Sequence, residues 1–285
     1  MFTILGFGIV LSAVIGGFVL EGGPIAVLNQ TIEFLIIGGA AVGSVVAGTP
    51  TKTLRALAGN VKAAVTGSGH SRADYVELFA MLYEVFSVMR KSGGIALEKD
   101  VDAPDASEIF KKYPRFMKNH AARNMLFDTL RLVISGSTNP EELSHLMDEE
   151  IYTHEEEGRM PASVLTKTGD SLPGLGIVAA VLGVIIAMGS MDQGPEVIGH
   201  KIAAALVGTF LGILLCYGIV QPLVQKMELL LVDRTRYLEC IKTGVLAYLN
   251  GAAPIIAVEH ARRAVFSSER PSALELEEIC RGRKE

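Results

Sequence analysis

The sequence predicts an all-α membrane protein with four spanning helices and a large helical cytoplasmic domain built from the second loop and the C-terminal segment. The mean hydropathy of the 285 residues is +0.38, and only 20% of them are charged. These values exclude an ordinary soluble enzyme. Four runs of 18 to 24 residues lack Asp, Glu, Lys and Arg: Met1–Leu20, Phe34–Thr51, Ser171–Met191 and Ile202–Gln225. A helix of about 20 apolar residues crosses the hydrocarbon core, so each run predicts one span.

Positive charge is unequally distributed over the segments that connect these runs. Nine Lys or Arg residues lie near predicted helix ends on one side of the membrane, whereas Lys201 alone lies on the other. Because basic residues stay in the cytoplasm, both termini are expected to be cytoplasmic. The first run has no Lys or Arg before it and no Ala-x-Ala cleavage site, so it is expected to remain as a spanning helix.

This topology divides the chain into four segments. Residues 1–51 hold spanning helices 1 and 2, and residues 171–225 hold helices 3 and 4. Residues 52–170 form the cytoplasmic helical domain, and residues 226–285 form a cytoplasmic helical C-terminal segment.

The cytoplasmic segments have the periodicity of helices, and no segment alternates as a strand would. Arg72–Arg90 carries apolar residues at a 3.6-residue period, and Gly93 with Gly94 should end this helix. Further helices are predicted at Ala121–Ser135, at Pro140–Glu157 with Asn139 as N-cap, at Lys226–Leu249 as a continuation of the fourth span, and after a capping box formed by Ser272 and Glu275.

Small residues recur every four positions in two of the spanning helices. Ala179, Gly183 and Ala187 share one face of the third helix, and Ala204, Gly208 and Gly212 share one face of the fourth. Such residues let helix backbones approach closely in lipid. The pattern is compatible with packing inside one chain and equally with packing against a neighbouring chain.

Ionisable side chains are missing from the interior of the spans. The acids nearest the bilayer, Glu33 and Asp170, are both predicted to lie at helix ends. Because proton-moving proteins need an ionisable group within the membrane, the titrating group is expected to come from another polypeptide. No nucleophile–base pair, metal-ligand cluster or cofactor motif is present, so no enzymatic activity, cofactor or metal is expected. The net charge of −5 gives no basic footprint for nucleic acid.

Two prolines mark the cytoplasmic ends of these helices. Pro173 is expected in the first turn of the third helix, where its missing N–H costs nothing. Pro222 is expected to remove one backbone hydrogen bond and bend the fourth helix as it leaves the membrane. Each proline either has only a structural role at a helix end or acts as a hinge.

Three segments resemble the MotA family of flagellar stator proteins. These are GDSLPGLGIVAA at Gly169–Ala180, VGTFLGILLCYG at Val207–Gly218 and SSERPS at Ser267–Ser272. The resemblance covers essentially the whole chain. It implies an inner-membrane subunit that forms a pentamer around a dimer of MotB-like partners, each of which has one span and a peptidoglycan-binding domain. In such a complex the partner's aspartate carries the ion, and ion flow produces torque on the rotor protein FliG.

The resemblance also implies roles for particular residues. Arg90 and Glu98 correspond to the family's rotor-facing charges. Lys91, Lys99 and Asp100 are charged residues next to them, at the same tip, which is the turn expected around Gly93 and Gly94. Pro173 and Pro222, with Asp170 beside the first of them, correspond to positions of conformational coupling.

Two further positions, Ala180 and Thr209, correspond to those that face the partner's aspartate. At about 1.5 Å per residue, the two are expected within about one helical turn of each other in depth. The sodium-driven relatives have threonine at the position of Ala180. Because alanine offers sodium no side-chain oxygen, coupling to protons is favoured.

The alternative within the same superfamily is an ExbB/TolQ-type energiser of an envelope process. Those chains usually have three spans, whereas four are predicted here, so the flagellar interpretation is preferred.

Overall fold

The computed structural model describes residues 2–67 and 69–282. Met1, Ser68 and the last three residues fall within segments predicted from the sequence but lie outside the described part. Within it the chain is helical and has no β-strand. The thirteen α-helices are α1 Phe2–Leu20, α2 Ile25–Leu28, α3 Thr31–Gly48, α4 Thr51–Thr66, α5 Arg72–Ser92, α6 Glu98–Asp102, α7 Pro114–Lys118, α8 His120–Ser135, α9 Pro140–Met188, α10 Pro195–Leu214, α11 Gln221–Leu249, α12 Pro254–Ala264 and α13 Ala273–Cys280.

Among the described residues, four helical segments are long and apolar enough to cross a membrane, which confirms the predicted fold class. They are Phe2–Leu20, Ile25–Gly48, a part of Pro140–Met188 and a part of Pro195–Leu249. The second span begins earlier than the charge-free run because Glu33 lies in the first turn of α3, where the helix dipole favours an acid. It ends at Gly48, close to Pro50, since the residue before a proline disfavours helical geometry.

The chain divides into two compact units. The first comprises Met1–Ser68 with Glu157–Leu230, and it contains the four spans. In it, α10 packs against α3, and α1 packs against α4. The Thr3 hydroxyl donates a hydrogen bond to the carbonyl oxygen of Ala64 at 3.2 Å, which joins the start of α1 to α4.

The second unit comprises Gly69–Glu156 with Leu231–Glu285 and is built around α5. Eight residues of α5 are buried, as its 3.6-residue apolar stripe predicts. They pack with α7, α12 and α13. The predicted caps are confirmed, because Asn139 accepts a hydrogen bond from the Glu142 amide at 2.8 Å, and Ser272 forms a capping box with Glu275.

The expected position of Pro173 in the first turn of the third spanning helix is wrong, as is that of Asp170 at a helix end. Pro140–Met188 is one helix of 49 residues, and Pro161 and Pro173 both lie inside it. The error arose because the boundary between charged and uncharged residues marks where a membrane begins rather than where a helix ends. Hydroxyl groups bond to helix carbonyls around the prolines: Thr166 to Ala162, Thr168 to Val164 and Ser171 to Thr168. Neither proline ends the helix, although each removes the N–H that would bond to the carbonyl four residues earlier, on Glu157 or Gly169.

Candidate functional site: a membrane seam and a charged turn

The third and fourth spans meet along a seam of small residues, here called the glycine seam: Gly176, Gly183, Gly208 and Gly212. A Cβ atom on Gly176 would lie 2.8 Å from the carbonyl oxygen of Gly208, and one on Gly212 would lie 2.5 Å from that of Leu172. These distances are too short for any side chain. The small residues are therefore used for packing between α9 and α10 of the same chain.

The pairing across the seam differs in one position from the predicted stripe. A Cβ on Gly183 would lie 2.7 Å from the Cβ of Ala205, and Ala205 is buried. Ala204, which the four-residue spacing predicted, is only partly buried. The spacing identified the face of α10 but not its centre, because residues three apart, such as Ala205 and Gly208, share a helix face as residues four apart do.

Ala180 and Thr209 flank the glycine seam on its two helices. The Cα of Thr209 lies 3.2 Å from a Cβ built on Gly176, and the amide nitrogen of Ala180 lies 3.5 Å from a Cβ built on Gly208. The structure therefore brings the two positions to the same depth. Both are half-buried, so each keeps a surface that the chain itself does not cover.

At one end of the seam, α9 is joined to the start of α11. The side-chain amide of Gln221 donates to a carboxylate oxygen of Asp170 at 2.9 Å, and Pro222 follows Gln221 directly. Asp170 is exposed and lies inside α9, three residues before Pro173. One hydrogen bond thus joins the two helix segments that carry the residues predicted to couple conformations, and the sequence did not indicate its donor.

A π-helical turn precedes Pro222. It spans Leu215–Val220 and connects α10 to α11 without a loop, which confirms that the fourth span continues beyond Gln225. A π-helical turn accommodates an extra residue in a helix and is frequent at functional sites. Val220 closely approaches α9, because a Cβ on Gly169 would lie 2.8 Å from its Cγ1. The bend expected at Pro222 remains a prediction.

In the other unit, a turn presents the predicted rotor-facing charges. Gly93 adopts a φ of +79° and ends α5, as the sequence predicted. A 3₁₀ turn at Gly94–Leu97 follows, and Glu98 begins α6. Arg90 and Glu98 are both exposed. Of the described residues, none forms a hydrogen bond or an ion pair with the Glu98 carboxylate.

The other charges at this tip differ in how they are held. The Arg90 guanidinium donates long hydrogen bonds of 3.4 Å to the carbonyl oxygens of Gly251 and Ala252. These bonds hold the guanidinium at the exposed end of α5. Burial raises the pKa of the Tyr248 hydroxyl, and the nearby Arg90 charge opposes that shift. Asp100, in contrast, accepts a hydrogen bond from Ser107 at 2.6 Å. Asp100 is therefore tied to its own loop, and Glu98 is the acid available for a contact.

A cleft of about 370 Å³ lies beside Glu98. Ile95, which is 74% exposed, forms one edge, and Ile134 lies deeper. Arg131 on α8 borders the cleft and pairs with Asp128 at 2.7 Å and with Asp102 at 3.4 Å. Sequence reasoning missed this cleft because its walls come from segments about 35 residues apart that share no motif.

A polar cluster around His70 was also missed. Its ring stacks on Tyr237 at 4.2 Å between centroids, its Nδ1 lies 2.9 Å from Asp233, and its Nε2 lies 3.0 Å from the Asn119 amide. The backbone amide of His70 also donates to Asp233 at 2.7 Å. The cluster holds the start of α5 to α11 and to the N-terminus of α8. Among the described residues, no group of His, Cys, Asp and Glu side chains could hold a metal ion.

Comparison with known proteins identifies the family. Residues 4–93 match the model of the motility protein A N-terminal region, and residues 115–239 match that of the MotA/TolQ/ExbB proton channel family. The motility protein A of Salmonella typhimurium is 43% identical over 281 residues, which cover 99% of this chain and 95% of that protein.

Two solved structures share the fold over most of the chain. The C. jejuni MotAB structure has a TM-score of 0.78 at 23% identity and covers 95% of this chain and 98% of that one. The flagellar MotAB stator complex of Bacillus subtilis has a TM-score of 0.70 at 27% identity and covers 90% and 92%. These matches favour the flagellar interpretation over the ExbB/TolQ one. The chain therefore belongs to the motility protein A family, the membrane-embedded stator subunits of the bacterial flagellar motor.

Proposed function

We propose that this chain surrounds a MotB-like partner in the inner membrane and conducts protons together with it, so that ion flow drives the rotor protein FliG. In this proposal five copies surround a partner dimer, both termini are cytoplasmic, and residues 52–170 and 226–285 form the cytoplasmic part. The chain performs no covalent chemistry and needs no cofactor. The partner supplies the ion-carrying carboxylate, since the four charge-free runs contain none and Glu33 lies near the start of the second span.

The observation that carries the rotor contact is the geometry of the turn between α5 and α6. Arg90 and Glu98 are exposed on either side of Gly93, and Glu98 has no partner among the described residues. Charges displayed in this way select partners and set the register of a contact. The cleft beside Glu98 offers in addition an apolar edge at Ile95 for a rotor side chain.

Reversing both tip charges tests this contact. The Arg90→Glu, Glu98→Lys double variant keeps the net charge, but it should reduce swimming severely because like charges then face each other at the rotor. The matched control is Glu108→Lys, Lys111→Glu, which reverses an exposed pair elsewhere in the same unit. Swimming speed, membrane insertion and copurification of the partner would be measured for both variants. Normal swimming of the tip variant would remove these residues from the mechanism.

The second experiment tests the coupling ion. The alanine at position 180 supports proton coupling, because a sodium ion must replace its waters by several oxygens. Tethered motors that contain this chain and its native partner should keep turning in sodium-free medium and with sodium-channel blockers. They should stop when a protonophore collapses the proton gradient. A sodium requirement for rotation would contradict the proposal.

A further inference from the structure

A narrow groove runs along the start of α1 in the membrane unit. It has a volume of about 250 Å³. Clefts that hold compact drug-sized ligands are larger, with volumes of about 300–1,000 Å³. Phe2, Phe7 and Val10 line it on α1. The opposite wall consists of Gly218 in the π-helical turn and Pro222. Such a space fits an extended chain rather than a compact molecule.

The groove is apolar along its length and basic at one end. The Val10 Cγ1 lies 3.0 Å from a Cβ built on Gly218, which closes the groove at that level. Lys226 and Phe2 line the opposite end, each eight residues, or about 12 Å, further along its helix. Lys226 is half-buried, and its ammonium group has no hydrogen-bond or ion-pair partner among the described residues.

The surroundings of the groove are those of a membrane surface. No residue of α1 is buried within the chain, so the groove opens toward lipid. Lys226 is the first charged residue after the run that ends at Gln225. Helix α4, which packs against α1, has no acidic residue and carries Arg55 and Lys62, as well as Lys52, which pairs with Glu157 at 2.8 Å. Positive charge of this kind attracts anionic headgroups.

From this geometry we propose that the groove is a binding site for an anionic phospholipid of the cytoplasmic leaflet. One acyl chain lies between α1 and the π-helical turn, and the phosphate of the headgroup pairs with Lys226. The lipid thereby contacts Gly218 and Pro222 and supports the irregular segment that a helix alone would not favour. The leaflet follows from the proposed topology, but the site itself does not depend on it.

The chain contains no tryptophan, so a single introduced indole reports on its local lipid. The full-length Phe7→Trp variant would be reconstituted into symmetric vesicles with equal amounts of phosphatidylglycerol and phosphatidylcholine. Bromine would be placed on the acyl chains of one lipid at a time, and quenching of the tryptophan fluorescence would give the relative occupancy. We expect a preference for phosphatidylglycerol of about fivefold at this site, as one lysine near the surface provides.

Three controls distinguish binding in the groove from a general attraction of anionic lipids to the basic surface of the chain. Adding Lys226→Gln to Phe7→Trp should abolish the preference, whereas adding Lys62→Gln should leave it largely unchanged. A tryptophan at Ile177, an exposed position on α9, should show no such preference. Equal quenching by both lipids at Phe7→Trp, or an equal loss with either lysine variant, would overturn the proposal. So would the absence of any quenching, because protein rather than lipid would then cover the groove.

Discussion

Replacing Gly212 by alanine should disrupt the pairing of α9 and α10 and abolish motility. The added Cβ would lie 2.5 Å from the carbonyl oxygen of Leu172 and 3.1 Å from the Cα of Gly176. Both atoms belong to backbone, so neither can move aside without separating the helices. Overpacking of this kind typically costs about 1–3 kcal/mol. The separation would also displace Ala180 and Thr209, which flank the glycine seam.

The matched control is Gly174→Ala on α9, two residues before Gly176. A Cβ at Gly174 meets no atom within 4 Å, and alanine favours a helix over glycine by about 1 kcal/mol. The control should therefore swim normally and be at least as stable as the unmodified chain. Thermal unfolding in detergent and swimming in soft agar would be measured for both variants. If Gly212→Ala unfolds at the unchanged temperature and swims normally, the helices are not held as closely as the structure indicates.

Replacing Pro173 or Pro222 by alanine should sharply reduce torque while the complex still assembles. Alanine restores an N–H that can bond to the carbonyl four residues earlier, which lies on Gly169 or Gly218 respectively. The helix then loses a point at which it can change direction. Both prolines lie close to the hydrogen bond between Asp170 and Gln221, so stiffening at either proline affects the same junction of α9 with α11.

Pro161 provides the matched control because it also lies inside α9 and is twelve residues before Pro173. The Pro161→Ala variant should keep its torque if the effect belongs to the junction rather than to α9 as a whole. Rotation of a bead attached to a flagellar filament would be measured at several loads, with copurification of the partner as the test of assembly. Wild-type torque in both the Pro173→Ala and the Pro222→Ala variants would show that these prolines have a structural role only.

The features that depend on local chemistry could be predicted from the sequence. The four spans follow from apolar length, and the ends of helices follow from Gly93, Asn139 and the capping box at Ser272. The continuation of the fourth span into α11 follows from periodicity that does not stop at Gln225. In each case the cause lies within a few residues of its effect.

The features that depend on contacts between distant segments could not be predicted in this way. Asp170 and Gln221 are 51 positions apart, and no spacing rule links an aspartate to that glutamine. No motif within Leu215–Val220 marks the π-helical turn, in which Gly218 and Val220 approach α1 and α9. The continuity of α9 was missed because two prolines and a change in charge suggested a boundary, whereas the helix continues through both prolines.

The uninterrupted α9 makes the number of residues near the membrane surface as important as their identity. In a loop, an inserted residue is absorbed by a change of a few dihedral angles. In a helix it turns every following side chain by about 100° and moves it by about 1.5 Å. An insertion or deletion between Ala162 and Gly169 would therefore rotate the glycine seam relative to Ala162, so that α9 could not keep both its packing with α10 and the packing of Ala162 against α4 and α11. Variation in this stretch is expected to occur by substitution, because a change of length has no flexible segment to absorb it.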